Sequence, residues 1–192
     1  MLLAGIVVPN ASAQKIAVKS NLLDVAVGTL NLGMEFGLTP KWTLNVPLSV
    51  NPWRFGSGAR YCHWGAQPEV RFWFSKGSTR FSQNFTRFNR AFVGGHLHFA
   101  SYNFGNWPDW VVASDNMKQS RYQGYLFGGG ISVGYSWILK RRWSIEVSTG
   151  LGYTRVHYEK YPCSECGSKL KESGKNYFGP TKASVSLLYM IK

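Results

Sequence analysis

The longest regular pattern in the chain runs from Tyr125 to Tyr158. In its first arm Phe127, Gly129, Ile131, Val133, Tyr135, Trp137 and Leu139 alternate with Gly128, Gly130, Ser132, Gly134 and Ser136. In its second arm Trp143, Ile145, Val147, Leu151 and Tyr153 alternate with Ser144, Glu146, Ser148, Gly150 and Gly152. Side chains of a strand alternate faces with period two, so each arm is a strand with one bulky apolar face and one face of small or polar residues. Lys140-Arg141-Arg142 joins the two arms into a hairpin. A soluble barrel hides its bulky face in a core, but here the opposite face is too small and polar to coat the outside of a large sheet. The bulky face is therefore expected to meet lipid.

The same alternation recurs along the chain. Lys15 to Leu23 sets Ile16, Val18, Ser20 and Leu22 against Ala17, Lys19 and Asn21, and a short connection containing Gly28 follows. Leu30 to Thr39 sets Leu30, Leu32, Met34, Phe36 and Leu38 against Asn31, Gly33, Glu35 and Gly37. After the Thr39-Pro40-Lys41 turn, Trp42 to Val50 forms a third strand, in which Pro47 removes a ladder donor and is expected to mark a bulge. A fourth strand runs from about His63 to Phe74, with Val70, Phe72 and Phe74 outward and Gln67, Glu69 and Arg71 inward. Val93, Leu97 and Phe99 mark the fifth, whose other face carries Gly94, His96, His98 and Ala100. The hairpin supplies two more strands, and Ala183, Val185, Leu187, Tyr189 and Ile191 line the last. Long loops are expected at about Asn103–Arg121 and Tyr158–Asn176. The fold class predicted is all-β, an eight-stranded antiparallel up-and-down transmembrane β-barrel. Eight strands make the smallest common membrane barrel, whose lumen is filled by side chains, so a transport role is not expected. With both termini in the periplasm, the connections at Pro40, Arg80 and Arg141 face inward and the other four face the cell exterior.

Composition supports this picture. Charged residues are 16 % of the 192 and aromatics another 16 %, against about 25 % charged in an average soluble domain. Trp and Tyr suit membrane interfaces, and glycine suits a crowded lumen. No run of about 18 apolar residues is present, which argues against a helical membrane protein. The net charge of +13 raises nucleic acid as a partner, but the basic residues sit mainly in turns and loops instead of on one face. Nucleic acid is therefore not expected, and anionic lipid phosphate, as in outer-membrane lipid and lipopolysaccharide, is. Residues 1–13 read as the remnant of a secretory signal peptide, with an apolar run from Leu2 to Val8 and the small residues Ala11-Ser12-Ala13, leaving 14–192 as one barrel domain.

Several groups are candidates for chemistry. Lys19, Glu35, Glu69, Arg71 and Glu146 all fall on inward faces. Buried charges persist only when paired, which predicts a lumen charge network along the barrel axis. Cys163 and Cys166 form a C-x-x-C, and in an oxidising compartment they are expected to staple their loop as a disulfide, leaving Cys62 free. The alternative, a zinc site completed by His157 and Cys62, has too few ligands in one motif to be specific. His96 and His98 share a face and invite comparison with a lipid hydrolase, but no G-x-S-x-G elbow accompanies them, and inward histidines more commonly serve as hydrogen-bonded lumen residues. Trp53, Tyr61, Trp107 and Trp110 are candidate loop contact residues for a sugar or protein, or members of an interfacial aromatic belt. No catalytic, metal or cofactor-binding residue is predicted.

Individual segments carry a resemblance. Asn21-Leu22-Leu23, Thr29-Leu30-Asn31-Leu32-Gly33, Lys41-Trp42-Thr43-Leu44, Gln67-Pro68-Glu69-Val70-Arg71-Phe72-Trp73-Phe74, Arg121-Tyr122-Gln123-Gly124, Tyr161-Pro162-Cys163 with Cys166, and Asn176-Tyr177-Phe178-Gly179-Pro180-Thr181-Lys182 resemble an uncharacterised family of Bacteroidota outer-membrane barrels. The resemblance covers nearly the whole chain after residue 13. It implies the outer membrane of a Gram-negative bacterium and, because such genes often accompany fimbrial or cell-surface genes, an envelope or fimbrial protein partner. It brings no catalytic residues. The function expected is a non-enzymatic structural or interaction protein of the cell envelope, with an outer-leaflet lipid-modifying enzyme as the alternative.

Overall fold

A computed structural model describes residues 16–54, 60–74, 90–105, 121–140, 142–161 and 171–191. Its strand segments are β1 (Ile16–Asn21), β2 (Leu30–Gly37), β3 (Trp42–Arg54), β4 (Arg60–Ala66), β5 (Glu69–Trp73), β6 (Arg90–Gly105), β7 (Arg121–Lys140), β8 (Trp143–Tyr161) and β9 (Lys171–Met190), with the short helix α1 (Leu22–Ala26) between β1 and β2. Every pairing is antiparallel, and β4 and β5 meet β3 in one continuous register, Leu48 opposite Ala66 and Asn45 opposite Glu69. They are two halves of one stave interrupted at Gln67-Pro68. Pairing of β1 with β9 and of β2 with β3 closes the ring. The molecule is a closed, eight-stranded, antiparallel β-barrel.

The alternation places side chains as the pattern requires. On β7, Ile131, Val133, Tyr135 and Trp137 are exposed while Ser132 and Ser136 are buried; on β8, Val147, Leu151 and Tyr153 are exposed while Ser144, Glu146 and Ser148 are buried. The large apolar residues are thus on the outside. Gly130 and Gly152 face each other across the β7–β8 ladder. A Cβ on Gly130 would run into the Leu151 carbonyl and one on Gly152 into the Gly129 carbonyl, so side chains are excluded where these two strands come together.

Four local features differ from the expectation. The first strand stops at Asn21, whose side chain accepts from the Leu23 N–H and caps α1. Pro47 marks no bulge: it stays in register opposite Gly33, and its carbonyl accepts from Gln67 N–H at 3.2 Å, so the lost donor falls at the break between β4 and β5. The register shift in β9 lies instead opposite Gly150/Leu151, where Thr181 is the extra residue. Finally, β8 continues to Tyr161 and β9 begins at Lys171, in what the sequence presents as loop. Those strand ends carry polar residues on both faces, so the ladder continues where the hydrophobic period has ended. The expected leader, residues 1–13, lies outside the described residues.

An apolar plug of Ala17, Trp73, Phe92 and Met190 fills the barrel at the end of the short turns. The Trp73 and Phe92 rings pack 4.8 Å apart, and the Trp73 indole N–H donates to Thr43 Oγ1 at 2.9 Å. Phe92→Ala removes the ring that packs on both Trp73 and Arg71. It is expected to cost about 3–5 kcal/mol, read as a shift of the urea midpoint for loss of the folded gel band; an unchanged midpoint contradicts the plug.

Candidate functional site

Above the plug, strand parity brings ionisable groups from β1, β2, β5, β8 and β9 to one level. Arg71 is the hub. Its Nη1 lies 3.0 Å from Glu35 Oε2 and 2.9 Å from Glu146 Oε2, and its Nε 2.6 Å from Glu69 Oε2. Lys19 bridges the other side, with Nζ 2.6 Å from Glu35 Oε2 and 3.4 Å from Glu146 Oε1. The structure therefore joins all five residues of the sequence-derived set in one network. Lys182, absent from that set, adds a contact of 2.6 Å to Glu69 Oε2. Its position is legible in the sequence, because the outward run through Ala183 and Val185 turns Lys182 inward.

Neutral groups complete the coordination. Thr43 Oγ1 donates to Glu35 at 2.6 Å, Asn45 Nδ2 to Glu69 at 3.3 Å, and Ser132 Oγ also donates to Glu69. The Arg71 guanidinium lies 4.3 Å from the centre of the Phe92 ring, which couples the ionic layer to the plug beneath it. Three cations meet three carboxylates here, so the layer is formally balanced and the chain's net charge of +13 resides outside it. A charge-balanced cluster is suited to holding staves together.

Beyond the ionic layer lies a cavity of about 320 Å³, bordered by Asn21, Asp24, Asn31, Gln67, His98 and Lys182. His96 and His98 lie 5.8 Å apart, ring centre to ring centre, each bonded through Nε2 to a threonine: Thr181 at 3.0 Å and Thr154 at 2.8 Å. Neither Nδ1 has a hydrogen-bond partner among the described residues. The threonines are not visible as partners in the sequence. Thr181 reaches His96 because the bulge carries it past the ordinary alternation.

At the same end, β3, β4 and β6–β9 project past β1 and β2. Tyr61 is placed there, its ring stacked on Phe104 at 5.3 Å, with Tyr102 stacked on the same ring at 5.3 Å. Trp53 is exposed, and its indole N–H donates to the Gly28 carbonyl at 2.5 Å, tying the end of β3 to the turn after α1. Gly28 has φ +74°, a left-handed conformation that favours glycine. The two sequence-derived contacts Trp53 and Tyr61 therefore serve different local roles. Trp107, Trp110, Cys163 and Cys166 lie outside the described residues. Cys62 is a free thiol near the Trp53 carbonyl. It is on β4 and His157 is on β8, with β6 and β7 between them, and no cluster of three metal-ligating side chains occurs among the described residues.

The fold and its ionic interior thus define a small β-barrel with a filled lumen. The chain belongs to the family described as "Protein of unknown function (DUF3575)", whose match spans residues 1–191. No curated protein matches it.

Glu69→Gln weakens contacts to both Arg71 and Lys182. The variant is expected to lose about 3–5 kcal/mol of stability in urea titrations from lipid vesicles, whereas Arg155→Gln, at an exposed site, changes it by less than about 0.5 kcal/mol. Equal stability of Glu69→Gln and the parent would show that the network does not hold the staves together.

Proposed function

We propose that this chain is an outer-membrane β-barrel that conducts nothing and acts as a non-enzymatic structural or interaction protein of the cell envelope. The observation that carries the reading is the distribution of exposed side chains. Trp42, Phe74, Tyr135, Trp137 and Trp143 ring the short-turn end, and Trp64, Phe99, Tyr125, Phe127, Tyr153 and Phe178 ring the other. Between them lie exposed Leu32, Leu48, Leu97, Ile131, Val133, Val147 and Leu151. On β7 the two rings are marked by Phe127 and Trp137, about 25 Å apart along the barrel axis for a tilted strand. Two aromatic girdles around an aliphatic belt of that height match the apolar band of a membrane barrel. In water the same surface would be a large uncovered apolar patch.

The plug and the ionic layer together occlude the lumen, which supports a role other than transport. Each buried imidazole is held by a threonine, and no carboxylate orients its Nδ1 among the described residues. The charge outside the lumen suits anionic lipid, including lipopolysaccharide. Beyond the outer girdle β7, β8 and β9 continue for about 15–20 Å. That wall is the surface offered to another envelope component, such as a protein of fimbrial or surface assembly.

The expected behaviour is retention in the membrane pellet after alkaline carbonate extraction, faster gel migration unboiled than boiled, and no stepwise conductance in planar bilayers. Release into the carbonate supernatant contradicts the membrane assignment. Discrete channel steps contradict the occluded lumen.

A further inference from the structure

Over Ser186–Tyr189, β9 is paired on both sides, with β8 and with β1; over Lys171–Ser184 it pairs with β8 alone among the described residues. The β1 ladder ends on a cap, where the Val185 N–H donates to the Asn21 side-chain oxygen at 3.1 Å. In an antiparallel sheet successive residues turn their main-chain N–H and C=O to opposite sides. Following the register from Val185 through Pro180, with Thr181 taken up by the bulge, puts the main-chain groups of Phe178, Asn176 and Gly174 on the side away from β8. Gly174 through Phe178 are all exposed, and the Phe178 side chain is 80 % exposed. An unpaired strand edge of this kind is a template for another strand.

The geometry also limits what fits there. Below the projecting wall β1 and β2 occupy the space between β9 and β3, and neither continues above α1, which leaves among the described residues a gap as wide as the two staves that fill it lower down. Two copies in one membrane both direct β9 toward the short-turn end, so an antiparallel pair of identical edges is not available to them. From Ser173 to Lys192 the sequence has no Asp or Glu, and Lys175 is exposed on one face of this edge while Arg155 of β8, opposite Asn176, is exposed on the other. A second copy would bring like charges together, whereas an acidic segment would meet opposite ones.

We propose that the projecting edge of β9, from Gly174 to Phe178, accepts an extended acidic segment of a second protein as an additional strand. This rests on the outer-membrane reading above. Main-chain hydrogen bonds would supply the attachment, with Phe178 beside the incoming strand on one face and Lys175 beside it on the other, selecting its charge.

Hydrogen exchange tests this on the chain itself, whichever protein supplies the strand. The chain is compared in outer-membrane vesicles from cells that make it and after purification into detergent. The amides of Gly174, Asn176 and Phe178 are expected to exchange at least about tenfold more slowly in the vesicles, while those of Lys175 and Tyr177, directed toward β8, are slow in both. Asn176→Pro removes an N–H that β8 does not use, so it should keep the folded gel mobility and restore fast exchange at Gly174 and Phe178 in vesicles. Lys175→Glu should reduce the slowing. Equally fast exchange of the three amides in both preparations overturns the proposal, as does slow exchange in detergent accompanied by a dimer, which would assign the edge to a second copy. A chain missing from the membrane fraction overturns the outer-membrane reading instead.

Discussion

Arg71 is buried among Glu35, Glu69 and Glu146, and the rest of the barrel depends on that arrangement. A guanidinium removed from water is costly unless each face of it meets an acceptor, and a carboxylate stripped of its cation is as costly in turn. Once these groups occupy the axis, little room is left for a conventional apolar core. Residues beside them must be small or hydrogen-bonding, as Ser132 and Thr43 are, and the aromatic and branched side chains of the same strands go outside. The inversion of the barrel follows from its ionic centre.

The same constraint organises the two ends differently. Toward the short turns the ionic layer rests on Phe92 and Trp73, which exclude water and receive the guanidinium on an aromatic face. Toward the projecting end, lumen polarity is handed over gradually, through Lys182 and the histidine–threonine pairs, to a cavity bordered by amides. Beyond the outer girdle neither the apolar belt nor the ionic axis constrains the sequence. Specific recognition is free to develop there, and there lies the edge of β9 that pairs with β8 alone among the described residues.

Much of this is legible in the sequence because strand periodicity is a local signal. The alternation from Phe127 to Leu139 assigns every side chain to a face, and the inward positions of Lys19, Glu35, Glu69, Arg71 and Glu146 follow by counting. What counting does not reveal is pairing across strands, because the contacts of Arg71 join β5 to β2 and β8. Lys182 is within reach of the same parity argument. Thr181 is not, since a bulge displaces it from the alternation. The outer ends of β8 and β9 read as loop because hydrophobic contrast disappears beyond the aromatic ring of Tyr153 and Phe178, even though the main-chain ladder continues. Pro47 illustrates the opposite error: a missing donor is tolerated without a bulge when the neighbouring stave is already interrupted at Gln67-Pro68.

If the bulky faces of the strands contact lipid while the ionic axis stays closed to water, the outward positions must sit in hydrocarbon. Nitroxide labels at the outward sites Ile131, Val133 and Tyr135 of β7 and Val147 and Leu151 of β8, in vesicles, measure this through their collision rates with oxygen and with a water-soluble nickel chelate. High oxygen and low nickel accessibility are expected at all five, with the greatest contrast midway between the Phe127 and Trp137 girdles. Nickel accessibility at those sites equal to that of a label at exposed Lys175 would contradict the lipid-facing assignment.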